Sequence, residues 1–233
     1  MSEEKTFNWK PTFDARSKAF PIRAAIPERP KRRTKKWRNG VILDQGREGA
    51  CVGFGWAAEA LSTPVAVDLT RLKADAPEDP TAFAQAIYHR AKQIDWWDGE
   101  DYEGTSVLAG AKAMQELGLL KEYRWCFNIE DVIDAILVKG PVVLGIYWYE
   151  SMYEAPNGIL KVNGPIVGGH CITAVGFKLA KDSATGEDTV ILQNSWGYSW
   201  GEWGLAEIRV SDLAALLRND GEACVPSKRS YGR

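Results

Sequence analysis

Two short stretches carry side chains suited to acyl-transfer chemistry. The first is Asp44-Gln45-Gly46-Arg47-Glu48-Gly49-Ala50-Cys51; the second is Gly168-Gly169-His170-Cys171, with Gln193-Asn194-Ser195-Trp196-Gly197 downstream. Between them they supply a thiol, an imidazole and carboxamides. A thiol needs a base to become a nucleophile, and the base needs a third group to hold its ring. The tetrahedral intermediate needs an N–H donor for its oxyanion. Cys51, His170, Asn194 and Gln45 can fill those roles. The chain has 2 histidines, so the search for a base is narrow. His89 stands between Tyr88 and Arg90, beside a cation and with no nucleophile near it in sequence, which fits a structural or surface role. His170 follows two glycines that let a substrate backbone come close. Alone it reads equally well as a core histidine; with Cys51 and Asn194 it reads as the base.

These residues need elements to position them. Val52, Phe54, Ala57, Ala58 and Leu61 suit a buried helix that starts at Cys51 and stops before Pro64. Cys51 would then sit at a helix N-terminus, where unpaired N–H groups and the dipole favour a thiolate. Asp79-Pro80-Thr81 opens a second helix. Thr105 or Ser106 caps a third that runs to Leu117 and stops at Gly118, and Asn128 caps a fourth over 129–138. The period then changes. Val142 to Trp148 reads as a strand, followed by strand candidates over 158–162, 170–177, 189–194 and 205–210, and a short helix over 211–217. Helices dominate the first half and strands the second. The expected class is therefore α+β, with a helical lobe over about 51–138, a β lobe over about 141–210 and a cleft between them. Trp196, Trp200 and Trp203, interleaved with Gly197, Gly201 and Gly204, read as one tight loop.

The composition fits a globular chain: 233 residues, 45% hydrophobic and 26% charged. The net charge of -2 hides an asymmetry. Residues 1–40 hold 12 Lys/Arg and 4 Asp/Glu, a net of +8, and the remainder holds 17 and 27, a net of −10. Such a basic arm can dock onto the acidic body, recruit an acidic partner, or stay a solvated leader. Within it, Lys31-Arg32-Arg33-Thr34-Lys35-Lys36 reads as a solvated linker, a processing site or an anion-binding patch. The N-terminal residues lack an apolar signal core, no apolar run reaches bilayer length, and a cytoplasmic location with reduced thiols is expected. The 4 cysteines are Cys51, Cys126, Cys171 and Cys224. Pairing among the last three stays open. Cys171, next to His170 on a strand, should point the opposite way into packing. Metal-ligand spacing and phosphate-cradling glycine loops are missing, so no metal and no cofactor is expected. A nucleic-acid partner rests on the basic arm alone and ranks last.

Gln45 followed after five residues by Cys51, then Gly169-His170, then Asn194-Ser195-Trp196-Gly197 with Trp200-Gly201-Glu202 and Gly204 together resemble the papain family of cysteine peptidases. The resemblance covers about residues 37–210. It implies a papain-like two-lobe fold with a helical N-terminal lobe, an antiparallel β C-terminal lobe and the active site in the cleft. The implied roles are Cys51 as nucleophile and His170 as its base and later the acid. Asn194 would orient the imidazole, and the Gln45 amide with the Cys51 N–H would form the oxyanion hole. Trp196 would shield the His170–Asn194 bond, and Gly104 in Glu103-Gly104-Thr105-Ser106 would edge the cleft beside Gly169 against an extended polypeptide substrate. Leu144 to Trp148, with Tyr149 and Met152, would line part of the recognition pocket. The nucleophile loop lacks the family's usual Cys-Gly-Ser-Cys-Trp and resembles bacterial and phage-type members. Residues 1–36 would be a basic extension or short pro-segment, and 37–233 the peptidase domain. The same four residues would also serve a cell-wall peptide amidase or transpeptidase, and a catalytically silent binding module is the third reading. The sequence leaves the oligomeric state and cleavage preference open.

Overall fold

Five helices follow from local signals. The helices are α1 Cys51–Ala60, α2 Pro80–Ile94, α3 Val107–Glu116, α4 Ile129–Val138 and α5 Val210–Arg218. Each of α2, α3 and α4 starts where a short polar side chain satisfies a first-turn N–H. Asp79 accepts from Ala82 N at 2.8 Å, Ser106 from Ala109 N at 3.1 Å and Asn128 from Asp131 N at 2.9 Å. The strands are β1 Lys35–Lys36, β2 Leu120–Trp125, β3 Val142–Tyr149, β4 Ile166–Lys178, β5 Thr189–Gln193, β6 Leu205–Arg209 and β7 Glu222–Arg229. They form one antiparallel sheet in the order β2-β7-β3-β4-β5-β6, with β1 added to β4. This computed structural model describes residues 6–72, 77–99 and 101–230. Among them, no helix is long and apolar enough to cross a membrane.

α1 is the element between the lobes. All ten of its residues are buried, and it packs on α2 and α3 on one side and on β3 and β4 on the other. Its one charge, Glu59, is met by Arg229 of β7 at 2.5 and 2.9 Å, so the carboxylate leaves water with a two-point partner. Two apolar cores result. One holds Trp56, Phe83, Ile87 and Met114 of the helical lobe; the other holds Ile133, Ile136, Trp148, Phe177 and Leu192 of the β lobe. The α+β two-lobe expectation is met.

Several boundaries differ from the sequence reading. The apolar face of α4 packs into the β-lobe core, so the helical lobe ends before α4 rather than at about 138. The strand expected over 158–162 is a tight turn over Pro156–Gly158 with one isolated bridge from Ile159 to Glu207. Asn157 and Gly158 adopt left-handed φ values of 56° and 68°, which breaks an extended run. β2 and β7 lie outside the expected list: β2 mixes Lys121, Glu122 and Arg124 into its sequence, and β7 follows the last expected element.

The basic arm is docked rather than solvated. Ile22 and Ile26 enter the β-lobe core. Arg23 and Arg29 reach the Asp134 carboxylate at 2.7 and 3.2 Å, Arg32 pairs with Glu130, and Lys35 Nζ donates to the Leu137 carbonyl at 3.0 Å. The arm thus lies along the acidic side of α4, which selects docking among the three readings of its charge. The expected divide at 36/37 falls inside continuous packing, because β1 pairs with β4 through Lys36↔Gly176 and Trp37 N donates to the Val175 carbonyl at 2.9 Å. In the Lys31–Lys36 run Arg32 and Lys35 bond to the body while Lys31, Arg33 and Lys36 are exposed, so the run is not a loose linker.

Candidate active site

Cys51 is the first residue of α1. The preceding cap residue, Ala50, offers no side-chain oxygen, so the first-turn N–H groups stay available near the thiol. His170 lies on β4 and Asn194 just past the end of β5. The β4–β5 register, Thr173↔Gln193, brings the two within reach. His170 Nε2 lies 2.7 Å from Asn194 Oδ1, and the same oxygen accepts the Ser195 N–H at 2.8 Å. An atom that accepts a backbone N–H is the carboxamide oxygen, so His170 carries its proton on Nε2 and donates it to Asn194. Nδ1 is then bare; it is buried and makes no hydrogen bond. The Trp196 ring, fully buried, covers the pair with its centroid 4.8 Å from the imidazole, and Trp148 closes the other side at 4.7 Å. The Gln45 amide is oriented from its oxygen end, where Oε1 accepts the Ser195 hydroxyl at 2.6 Å. Its Nε2 donates to the Glu48 carbonyl at 2.9 Å.

The cleft is occupied by the chain's own residues 6–10. The Gln45 Nε2 also faces the Thr6 carbonyl and hydroxyl, each at 3.4 Å. Phe7 packs edge-on against His170 and Trp196, at 5.9 and 5.6 Å between centroids. Asn8 N and Trp9 N donate to the Gly169 carbonyl at 2.9 and 2.7 Å. On the opposite edge Thr105 N donates to the Asn8 carbonyl at 3.2 Å, and Lys10 N to the Thr105 carbonyl at 3.0 Å. The expected cleft edges, Gly104 and Gly169, are both in place. Thr105 rather than Gly104 makes the hydrogen bonds, and Gly104 supplies room. A Cβ there would stand 2.0 Å from the Asn8 oxygen, and one at Gly169 would stand 2.3 Å from the Trp9 oxygen.

Trp9 fills a pocket. A Cβ on Gly145 would stand 2.2 Å from the Trp9 Nε1, the Tyr147 ring meets the indole edge-on at 5.8 Å, and Glu222 Oε2 accepts the indole N–H at 3.2 Å. Strand alternation corrects the expected lining. Gly145 and Tyr147 of β3 face Trp9, whereas Leu144, Ile146, Trp148 and Met152 enter the β-lobe core. Glu222 escaped the sequence reading. Its only signal is a carboxylate heading the apolar run Ala223-Cys224-Val225. Burial pushes its pKa up to about 7, against the pull of the Trp9 hydrogen bond, and its Oε1 has no partner.

The electrostatics reverse the expected ion pair. Cys51 is fully buried, and burial pushes its thiol up to about 12, although the N–H groups of Cys171, Trp9 and the start of α1 favour the thiolate. Burial likewise pulls His170 down to about 4, with Asn194 opposing. The two side chains are therefore a neutral thiol and a neutral imidazole, because both are buried away from the water that would solvate their charges. Cys126, Cys171 and Cys224 are buried free thiols, and Cys171 packs into the helical-lobe core as strand alternation predicts.

Residues 88–220 match the papain family cysteine protease model, a span that contains His170 and Asn194 while Gln45 and Cys51 precede it. Among curated relatives, the gut-specific cysteine proteinase of Caenorhabditis elegans is 31% identical over 216 residues, covering 74% of this chain and 64% of the relative. The cathepsin B-like protease 1 of Arabidopsis thaliana is 28% identical over 109 residues, covering 46% and 28%. The chain thus spans less than two thirds of either relative. Among solved structures, xylellain, a cysteine protease from Xylella fastidiosa, superposes with a TM-score of 0.64 at 16% identity, covering 99% of this chain and 98% of that one. The bromelain protease of Ananas comosus gives 0.57 at 17% identity, covering 84% and 98%. The family match covers more than half of the chain, and the His170–Asn194 pair and the shared fold agree with it: the chain belongs to the papain family of cysteine proteases.

Proposed function

We propose that this chain hydrolyses peptide bonds through a thioester on Cys51 and is held latent by its own residues 6–10. The observation that carries the reading is the tautomer of His170. With Nε2 committed to Asn194, Nδ1 is the nitrogen left to take the Cys51 proton. The thiolate attacks the scissile carbonyl carbon. The carbonyl electron pair moves to oxygen, which takes hydrogen bonds from the Gln45 Nε2 and the Cys51 N–H. His170 Nδ1–H then protonates the leaving amine as the C–N bond breaks. Water, deprotonated by the same nitrogen, cleaves the thioester and restores the thiol. Each oxyanion donor is worth roughly 3–4 kcal/mol of transition-state stabilisation.

Latency is supported by the burial of Cys51 and by the Thr6 carbonyl on the Gln45 donor. The Gln-Gly-x-x-Gly-Ala-Cys form of the nucleophile loop and the full-length superposition on xylellain support a bacterial- or phage-type member. Four unbridged thiols fit the reducing cytoplasm expected from the sequence.

Intact-mass labelling with an epoxide inhibitor of papain-like enzymes tests the reading. One adduct should form on the parent chain, slowly. It should be absent in Cys51→Ala and slower by roughly 10²-fold or more in His170→Ala. A folded Cys51→Ala chain that still takes the adduct would sink the assignment.

A further inference from the structure

We propose that the cleft carries a cation subsite, built from Trp97 and Tyr102, that takes a lysine or arginine side chain of a peptide substrate. The proposal rests on the peptidase reading and adds a substrate preference to it. In the latent chain the site is filled by Lys10, whose Nζ lies 4.0 Å from the Tyr102 ring centroid and 4.8 Å from that of Trp97. Both distances are those of a cation held on aromatic faces, the arrangement that recognises ammonium groups elsewhere.

The body of the protein, not the arm, builds this cage. The two rings meet edge-on at 6.1 Å between centroids. Asp95 ties both residues: its Oδ1 accepts the Tyr102 hydroxyl at 2.5 Å and the Trp97 backbone N–H at 3.1 Å. Its Oδ2 accepts the Thr105 hydroxyl at 2.6 Å, which ties the cage to the residue that pairs with the backbone in the cleft. Loss of the arm therefore leaves the rings positioned. The charge of the surroundings agrees. Among the described residues of the stretch 95–103, Asp95, Asp98, Asp101 and Glu103 are carboxylates, and none is a lysine or arginine. One other cation approaches, Lys92 of α2, with its Nζ 5.1 Å from the Tyr102 centroid. The Asp95 carboxylate under the cage favours a cation there. Lys10 reaches the cage while its own N–H pairs with the Thr105 carbonyl at 3.0 Å. An extended peptide hydrogen-bonded to the same carbonyl would deliver a basic side chain by the same route.

The test has two arms, both on the full-length chain. In the first, the rate of Cys51 alkylation by iodoacetamide is measured for the parent, Lys10→Met, Trp97→Leu and the double variant. Lys10→Met should raise the rate about three- to fivefold in the parent and leave it nearly unchanged in the Trp97→Leu background. Equal rises in both backgrounds would overturn the cage. In the second, a Trp9→Ala chain with a loosened arm is given peptide pairs that differ by lysine or norleucine at each position in turn. One position should favour lysine about fivefold in kcat/KM, and the ratio should fall toward one when Trp97→Leu or Tyr102→Leu is added. Turnover with no lysine preference anywhere would overturn the subsite and leave the peptidase reading intact. No turnover of any peptide would overturn the peptidase reading instead. The subsite is then decided by binding to the Cys51→Ala, Trp9→Ala chain, where it requires the lysine peptide to bind more tightly than its norleucine partner.

Discussion

The N-terminal arm joins the body in two different ways. Residues 6–10 lie across the cleft, held by hydrogen bonds from and to the edges at Thr105 and Gly169 and by one fully seated side chain, Trp9. Residues 22–37 instead complete the β lobe. Ile22 and Ile26 are core residues, Asp134 receives two arginines, and β1 extends the sheet. Backbone pairing at an edge can be exchanged for pairing with water or another peptide at little net cost. A core isoleucine has no such substitute. One continuous segment thus contains a part held mainly by exchangeable backbone pairing and one side chain, and a part held in the core, and the change of role falls near the end of the cleft.

Substitutions can break this comparison. The largest effect is expected at Trp9. Removing a fully seated tryptophan costs about 3–5 kcal/mol in a core, and here the loss falls on docking of the arm alone. Trp9→Ala should raise the Cys51 labelling rate by roughly a hundredfold or more, with little change in the unfolding midpoint. Ile22→Ala should do the reverse. It should lower global stability by about 2–5 kcal/mol in a denaturant titration and leave labelling under native conditions near that of the parent. A labelling rise matching that of Trp9→Ala would show the arm to be one cooperative unit.

Glu222 adds a pH dependence to the mobile part only. Its docked pKa is about 7, raised by burial, whereas solvent returns to the carboxyl once Trp9 leaves and the value falls toward the ordinary 4.5. Docking is then fully stabilised below the lower value and weakens as pH rises toward the upper one, because the released state gives up the proton first. The groups that act on Glu222 are the Trp9 indole, the Thr12 backbone and the thiols of Cys171 and Cys224, and the two thiols stay neutral across that window. The parent should label roughly tenfold faster at pH 7.5 than at pH 5, beyond the rise due to the thiol itself, and Glu222→Gln should lose that excess. A Glu222→Gln profile that keeps the full slope would remove the carboxyl from the docking equilibrium. The smallest effect belongs to the fixed part. Arg23→Ala leaves Arg29 on Asp134, so a loss of about 1 kcal/mol of stability is expected, with no effect on labelling.

The His170–Asn194 pair was legible because its residue types are chemically constrained. A base, a nucleophile and a carboxamide in order, with glycines beside them, admit few readings. The α4 boundaries were legible because Asn128 caps and Gly140-Pro141 stops, both local effects. β2 and β7 were not, because an edge strand with alternating charges and a strand after the last expected element carry weak periodic signals. The arm was hidden for a different reason. Its aromatics follow no helical or strand period, since Phe7 and Trp9 match surfaces of the body rather than each other.

The sequence by itself determined which residues are candidates for the chemistry, Cys51, His170, Asn194 and Gln45, by type and order, and the helix that starts at Cys51 by its apolar residues and by Pro64. Tertiary structure alone decided the state in which that chemistry stands. The bare nitrogen of His170 depends on which carboxamide atom faces it. Burial pushes Glu222 up to about 7 against the pull of the Trp9 hydrogen bond, and burial keeps the Cys51 thiol neutral. Protonation depends on solvent access, and solvent access is a property of packing between segments far apart in the chain.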